Sequence, residues 1–271
     1  MNIYEEIIKS INDNKPFVIA SIIESKGSTP RHIGKMLVKP DGSITGTVGG
    51  GPAEFFIIQE AVKAIETGQS KVVKYVLNAD IEKGLNMNCG GELSVFIEVV
   101  EAKPKLILIG AGHVGQATAK IGDSVGYQVI VVDDRTNYAD VNMYPMANAI
   151  YLSDTIGKAI DKAMEIGEDG KIVFDNNSYI VIATKDADGS ALRKVINSNA
   201  SYVGMIGSKR KVKKLLQEMA AEGVSSEKLQ QVYAPIGLDI GSETPEEIAV
   251  SIMSEIMKIR SKSSGQSLSA I

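Results

Sequence analysis

The chain has 271 residues, and at roughly 150 residues per domain this length favours two domains. Hydrophobic residues make up 44% of it and charged residues 23%, which is ordinary for a globular protein. Its 33 acidic residues outnumber its 29 basic ones, so the overall charge does not indicate nucleic acid or an anionic membrane as a partner.

The remaining bulk features concern the compartment. A single cysteine excludes an internal disulfide and is typical of a reducing environment. The N-terminal stretch MNIYEEIIKSINDNK is too charged for a signal core, and no segment has the roughly 20 apolar residues that span a bilayer. We therefore expect a cytoplasmic protein without a membrane segment.

Residues 1–101 predict a smaller α+β domain. An opening helix is followed by a buried strand at 17–23, a polar loop, and two short strands around a turn at Asp41. The stretch TVGGGPAEF then leads into a helix with Pro52 in its first turn. Two further strands, KVVKYVL and ELSVFIEVV, complete this domain.

Three features of this domain are candidates for binding or catalysis. Arg31 ends the polar loop SKGSTPR and can bind a phosphate with two hydrogen bonds; an ordinary surface loop is the alternative. The three glycines before Pro52 can present N–H groups to an anion, although Glu54 could satisfy that helix start instead. Cys89 precedes two glycines whose N–H groups could stabilise a thiolate, and an inert apolar role is the alternative.

Beyond Pro104 the pattern changes to apolar runs that alternate with amphipathic segments, over residues 102–262, before a polar tail at 263–271. Such alternation predicts a parallel sheet covered by helices on both faces. Thr244 and Glu247 predict a capping box at the start of the last helix. The predicted fold is therefore α/β, with a C-terminal Rossmann-like parallel sheet domain and a smaller N-terminal α+β domain.

The stretch LILIGAGHVGQ carries the G-x-G-x-x-G pattern of dinucleotide-binding folds. Gly110 permits a tight turn, Gly112 lets the backbone approach a phosphate, and Gly115 lets the helix pack on the strand. Asp133 ends the next strand, near the position of the acid that binds a ribose. The context predicts a nucleotide-like ligand; the alternative is a Rossmann domain whose glycines serve backbone geometry alone.

A dehydrogenase would also need a proton donor or acceptor beside the nicotinamide, and the chain has only two histidines. His113 lies in the glycine pattern, where it suits a helix start or a phosphate contact, and His32 lies in the other domain. An NAD(P)-dependent oxidoreductase therefore remains an alternative in which a lysine, tyrosine or carboxylate would supply the missing group.

A cluster of cations in IGSKRKVKKLL follows the last apolar run of the sheet. Ser208 is the predicted N-cap of a helix, and Lys209, Arg210 and three more lysines in its first turns oppose the helix dipole, at about 0.3–1 kcal/mol each. An anionic ligand at Gly207 and Ser208 would explain the cluster. A solvated basic face is the equal alternative.

Several of these stretches resemble the XdhC/CoxI family, the xanthine dehydrogenase accessory factors. KGSTPR, GTVGGGPAE and NCGGELSVFIE are similar to its N-terminal module. LILIGAGHVGQ, VVDDR, YVGMIGSKRK and APIGLDIGSETPEEIAVSIMSEI are similar to its C-terminal Rossmann module. The resemblance covers residues 18–260 and is most specific over 234–250.

The resemblance implies a cofactor-binding chaperone without turnover of its own. It would bind molybdenum cofactor and assist its sulfuration and insertion into a molybdenum hydroxylase such as xanthine dehydrogenase. We also expect a cysteine desulfurase as a partner and a homodimer, and a nucleotide-sensing regulatory binder of the hydroxylase is a further alternative. The residues implied for the molybdopterin or nucleotide are Gly110, Gly112, His113, Gly115, Asp133 and Arg135, with Gly207, Ser208, Lys209 and Arg210 at the phosphate.

At the metal end, the resemblance implies Cys89, Arg31 and Glu54. The chain would bind no free metal ion, and Cys89 would contact molybdenum only when the metal is bound within the cofactor. Two departures from the family pattern bear on this end. Pro52 stands where the family commonly has a cysteine, and TKDADGSAL lacks the family's histidines, although Asp186 keeps that segment polar. If those residues handle sulfur or metal in relatives, this chain does so differently or not at all.

Overall fold

The computed structural model describes residues 2–77, 90–165 and 174–269. The chain divides into two units, Met1–Ala102 and Lys103–Ile271, each with its own sheet and its own hydrophobic core. Within the described ranges, no helix combines the length and the apolar character needed to cross a membrane.

The first unit is built on one antiparallel sheet. Its elements are α1 (Ile3–Asn12), β1 (Phe17–Lys26), β2 (Lys35–Val38), β3 (Ile44–Thr47), α2 (Gly51–Thr67), β4 (Lys71–Leu77) and β5 (Gly91–Val100). The strand order is β3-β2-β1-β5-β4. Apolar side chains of α2, such as Ile57, pack with Val95 of β5 in the core. The α+β prediction is confirmed, and Pro52 lies in the first turn of α2.

The second unit contains one parallel sheet. Its elements are β6 (Lys105–Ile109), α3 (His113–Ser124), β7 (Gln128–Asp133), β8 (Ala149–Leu152), α4 (Ile156–Glu165), β9 (Ser178–Ile182), α5 (Asp188–Val195), β10 (Tyr202–Met205), α6 (Lys209–Ala221), α7 (Ser226–Gln230), β11 (Val232–Tyr233) and α8 (Pro245–Ser261). The strand order is β11-β10-β9-β6-β7-β8, and every pairing is parallel. Numbered from β6 as strand 1 and followed from β8 to β11, this is the 3-2-1-4-5-6 order of a Rossmann sheet.

Helices cover both faces of this sheet, which explains why its strands read as continuous apolar runs. Ile107 and Ile109 of β6 enter the core that α4, α5 and α6 cover. Leu106 and Leu108 enter the core on the other face, beneath α3 and α8. The start of α8 is also as predicted, because Thr244 and Glu247 form the capping box.

The topology fixes where a ligand can bind in the second unit. Strands β7 and β9 lie on either side of β6, so the strand order reverses at β6. In open α/β sheets the ligand crevice lies at this reversal, outside the carboxyl ends of the strands. The loops that follow β6, β7, β9 and β10 all leave from this edge, because the strands are parallel.

Packing at the start of α3 yields a stability prediction. A Cβ at Gly115 would lie 2.3 Å from the carbonyl oxygen of Gly110, whereas a Cβ at Gly112 would meet no atom within 4 Å. We expect Gly115→Ala to lower the free energy of unfolding by roughly 1–3 kcal/mol, since the backbone cannot easily yield. Gly112→Ala is the matched control and should change stability little. Urea denaturation of both variants measures the difference, and equal stabilities would contradict this close approach.

Candidate functional site

The loop between β6 and α3, residues 110–115, is called the glycine loop here. A Cβ at Gly110 would lie 2.4 Å from the carbonyl oxygen of Ala183, after β9, so close backbone packing requires this glycine and Gly115. Gly112 has open space around it and is the N-cap of α3, where no side chain of the described residues caps the helix. The first N–H groups of α3 can therefore receive an anion.

Asp133, at the end of β7, holds the glycine loop in place. Its carboxylate is 1% exposed and accepts hydrogen bonds from the Ala111 N–H at 2.5 Å and the Arg135 N–H at 2.7 Å. The Arg135 guanidinium adds two more, from Nε at 2.9 Å and Nη2 at 2.8 Å. A carboxylate has about four acceptor sites, so these four donors leave none for a ribose hydroxyl. The predicted contact of Asp133 with a ribose would require the Arg135 side chain to move.

The surroundings of Asp133 also set its charge. Burial disfavours the ionised form, but the hydrogen bonds from Arg135 and from the Ala111 N–H outweigh burial and lower the pKa of Asp133. Arg135 is itself held in place, with its guanidinium carbon 4.3 Å from the centre of the Tyr138 ring. The carboxylate is therefore a fixed negative charge that binds the loop after β6 to the loop after β7.

Two cavities lie at the carboxyl edge of the sheet and share Arg135, Thr184 and Lys185. The acidic cavity, of 490 Å³, is lined in addition by Asp133, Asp134, Asp154, Asp186 and Ala187. The loop cavity, of 320 Å³, is lined in addition by Gly112, His113, Val114, Ala183, Ile206 and Pro245. The loop cavity thus suits an anion, because it adjoins an uncapped helix start and Lys185, beside Arg135, which is paired with Asp133. The acidic cavity suits N–H and O–H donors.

Residues after β9 and β10 are joined by a buried charge. Asp188, the first residue of α5, is 2% exposed and accepts hydrogen bonds from the Thr184 hydroxyl and from Lys211 Nζ. Ser208 is the N-cap of α6 as predicted, and its hydroxyl accepts from the Lys211 N–H at 3.3 Å. Lys211 therefore pairs with Asp188 of this chain. The sequence alone does not indicate Asp188 as a partner for the cation cluster.

The predicted phosphate-binding segment is only partly at the two cavities. Ile206 lines the loop cavity, whereas none of the four residues from Gly207 to Arg210 lines either cavity in the described part of the chain. Lys209 lines a separate cavity on α6. Contact of these four residues with a ligand stays a prediction.

In the first unit, N–H groups of the glycine-rich loop before α2 already donate to a carboxylate of the same chain. Glu54 Oε2 accepts hydrogen bonds from the Thr47 hydroxyl at 2.5 Å and from the N–H groups of Val48 and Gly50, both at 3.1 Å. Glu54 thus engages N–H groups of the loop that precedes α2, whereas the first turn of α2 itself has no side-chain cap among the described residues. These N–H groups are not available to an external anion, because the chain's own carboxylate takes them.

Arg31 lies in an exposed loop that approaches the glycines before α2 and after Cys89. A Cβ at Gly49 would lie 3.1 Å from Pro30, and a Cβ at Gly91 would lie 2.4 Å from the Ser28 carbonyl oxygen. The structure thus brings the loop of Arg31 close to Gly49 and Gly91, while Cys89 itself lies outside the described residues. Within the described ranges, no group of three or more His, Cys, Asp or Glu residues could hold a metal ion.

Comparison with known proteins assigns the family. A family model described as the XdhC Rossmann domain matches residues 106–256, and one described as the XdhC and CoxI family matches residues 10–76. The chain belongs to the XdhC/CoxI family. The predicted resemblance is confirmed, and the Rossmann match covers the parallel sheet and both cavities.

Individual relatives agree with this family. The chain is 35% identical over 265 residues to uncharacterized protein YqeB of Escherichia coli K12, which is 98% of the chain and 47% of YqeB. It is 32% identical over 171 residues to a probable xanthine dehydrogenase component of Bacillus subtilis 168, covering 62% of the chain and 47% of the relative. The chain therefore spans about half the length of these two curated relatives.

Two more distant proteins match nearly the whole chain. The molybdenum cofactor insertion chaperone PaoD of Escherichia coli K12 is 20% identical, over 93% of the chain and 86% of PaoD. A crystal structure described as a xanthine dehydrogenase from Bacillus halodurans is 21% identical, with a TM-score of 0.51 over 99% of this chain and 98% of that one. The structural likeness shows that the fold is shared.

The hydrogen bonds of Asp133 predict a pH dependence of stability. Because folding lowers the pKa of Asp133, its contribution is fully present above the unfolded value of about 3.9 and is lost as the pH falls through the folded value. We expect Asp133→Asn to reduce the free energy of unfolding by roughly 1.5–3 kcal/mol at neutral pH. The difference from the wild type should shrink as the pH falls below about 4. Urea denaturation across this pH range measures it, and a difference that does not vary with pH would contradict an ionised Asp133.

Proposed function

We propose that this XdhC/CoxI family member is an accessory protein that binds molybdenum cofactor for a molybdenum hydroxylase. The observation that carries the proposal is the open glycine loop, where Gly112 leaves space and the described residues give the start of α3 no side-chain cap. The names of two relatives support it, since one is called a molybdenum cofactor insertion chaperone and another a probable component of xanthine dehydrogenase.

The residues at the carboxyl edge fit a phosphate-bearing pterin. Its phosphate would lie at the glycine loop, near Arg135 and Lys185, which both line the loop cavity. The carboxylates of Asp134 and Asp186, which line the acidic cavity, would accept hydrogen bonds from the amino and N–H groups of the pterin. When bound, the cofactor supplies the molybdenum centre that the hydroxylase uses. In this proposal the chain holds and orients the cofactor.

The metal end of the cofactor is the part with least support from the described residues. Glu54 is engaged with its own glycine-rich loop, and the described residues contain no group that could hold a metal by itself. Molybdenum would therefore arrive already bound to the pterin. Contacts from Arg31 and Cys89, a sulfuration step with a cysteine desulfurase, insertion into the hydroxylase and a homodimer remain parts of the proposal.

The dehydrogenase alternative is less well supported by the site. NAD binding in Rossmann folds uses an acid at the end of the second strand to bind the ribose hydroxyls. Here Asp133 occupies that position with all four acceptor sites taken. The geometry therefore favours an anionic ligand at the glycine loop over recognition of the NAD ribose.

Cofactor content tests the proposal. We expect the chain purified from a molybdate-supplied host, or reconstituted with the cofactor, to contain molybdenum by mass spectrometry and pterin by fluorescence after oxidation. Gly112→Asp puts a negative charge where the phosphate would bind, so it should lower cofactor content at least about tenfold. Gly112→Ala is the matched control, because its methyl group meets no atom and adds no charge.

Three results would count against the proposal. The first is absence of molybdenum and pterin from the wild type, in reconstitution as well as after purification. The second is equal cofactor content in Gly112→Asp and Gly112→Ala. The third is tight binding of NADH that Gly112→Asp abolishes, which would instead support the oxidoreductase or the nucleotide-sensing alternative.

A further inference from the structure

A third cavity of the second unit lies along α6 and is called the α6 groove here. It has a volume of 520 Å³ and is lined by residues of α6 and by the segment after β11, including Lys209, Val212, Lys213, Leu216, Ala220 and Pro235. It shares no lining residue with the acidic cavity or the loop cavity. Apart from Lys209, which belongs to the predicted phosphate-binding segment, the groove is therefore a surface that the proposed cofactor site does not use.

The groove is elongated and mainly apolar. Its helical lining residues recur every three or four positions from 209 to 220, so they form one stripe along about three turns of α6, roughly 16 Å long. Leu216 is half-buried, and Pro235 is exposed opposite the helix. A straight apolar channel of this length suits the side of a helix better than a compact small molecule.

The charged residues at the start of the groove are all cations. Among the described residues, Lys209, Arg210 and Lys213 make no ion pair, although all three are exposed. Their neighbours differ, because Lys211 pairs with Asp188 and Lys214 lies 3.8 Å from Glu218. The first three cations stand at the N-terminal end of α6, where they oppose the helix dipole. An external carboxylate would neutralise them.

We propose that the α6 groove binds an acidic amphipathic helix of a partner protein. The carboxylates of that helix would pair with Lys209 and Lys213, and its apolar residues would cover Leu216 and Ala220. Charge complementarity favours a protein over nucleic acid or a lipid surface. The cations stand at the first turns of α6, and beyond them the groove is lined by Leu216 and Ala220, which an amphipathic helix can cover, unlike a polyanion charged along its whole length or a flat lipid surface.

A defined peptide tests this proposal with the full chain. The probe is a fluorescein-labelled, end-capped helical peptide that carries two glutamates four residues apart and then two leucines on the same face. Fluorescence anisotropy measures its binding to the wild type and to two variants. We expect Lys209→Gln with Lys213→Gln to weaken binding roughly tenfold and added salt to weaken it further. Lys214→Gln on the same helix is the matched control and should change affinity less than about twofold.

Several outcomes would overturn the proposal. The first is no binding of the peptide to the wild type. The second is an equal loss of peptide affinity in the Lys209→Gln, Lys213→Gln double variant and in Lys214→Gln. The third is equal affinity for a peptide whose glutamates are replaced by lysines. Tighter binding of single-stranded DNA or anionic lipid vesicles that depends on the same lysines would also overturn it. Thermal melts of all variants confirm that they are folded. Cofactor content is compared with Lys213→Gln alone, because Lys209 belongs to the predicted phosphate-binding segment, and it should be unaffected, which separates this test from that of the cofactor site.

Discussion

The carboxyl edge of the parallel sheet, where the proposed site lies, depends on one buried carboxylate. Asp133 accepts the N–H of Ala111 in the glycine loop and three hydrogen bonds from Arg135. A charge in this position is expensive to bury unless it is fully hydrogen-bonded, and the four donors meet that condition. The shape of the glycine loop is therefore held by a residue 22 positions further along the chain, and Arg135 keeps that residue ionised. The same contact leaves the acid that would bind a ribose already engaged.

Two glycine-rich loops of the described residues differ in whether a nearby carboxylate engages their N–H groups. Both lead from a strand into a helix, and glycine is the N-cap in both. In the first unit, Glu54 lies in the first turn of α2 and accepts hydrogen bonds from the N–H groups of Val48 and Gly50 in the preceding loop. In the second unit, the first turn of α3 has no acidic residue, so its N–H groups stay available. An acid in the first turn thus engages the loop before α2, while neither helix start has a side-chain cap among the described residues.

Much of the second unit could be predicted from local patterns, because local physics determines them. The roles of Gly110 and Gly115 follow from the tight turn and close packing that their motif implies, and the Thr244 capping box needs only a few neighbouring residues. Contacts between distant residues could not be predicted. Nothing in the sequence near Lys211 indicates that it would pair with Asp188, which lies 23 positions away in another helix. The sequence therefore predicts one cation cluster. In the structure the turn of the helix separates its members, so that Lys211 pairs with Asp188 while Lys209 and Lys213 line the α6 groove.

The hydrogen bonds from Thr184 and Lys211 to Asp188 have a consequence for the affinity of the site. They link the loop after β9 to the first turn of α6 through a single buried charge, so neither segment can rearrange without exposing or orphaning that charge. Thr184, which lines both cavities, is thus held in place before any ligand binds. A rigid receptor loses little conformational entropy on association, so more of the contact energy is retained as binding strength.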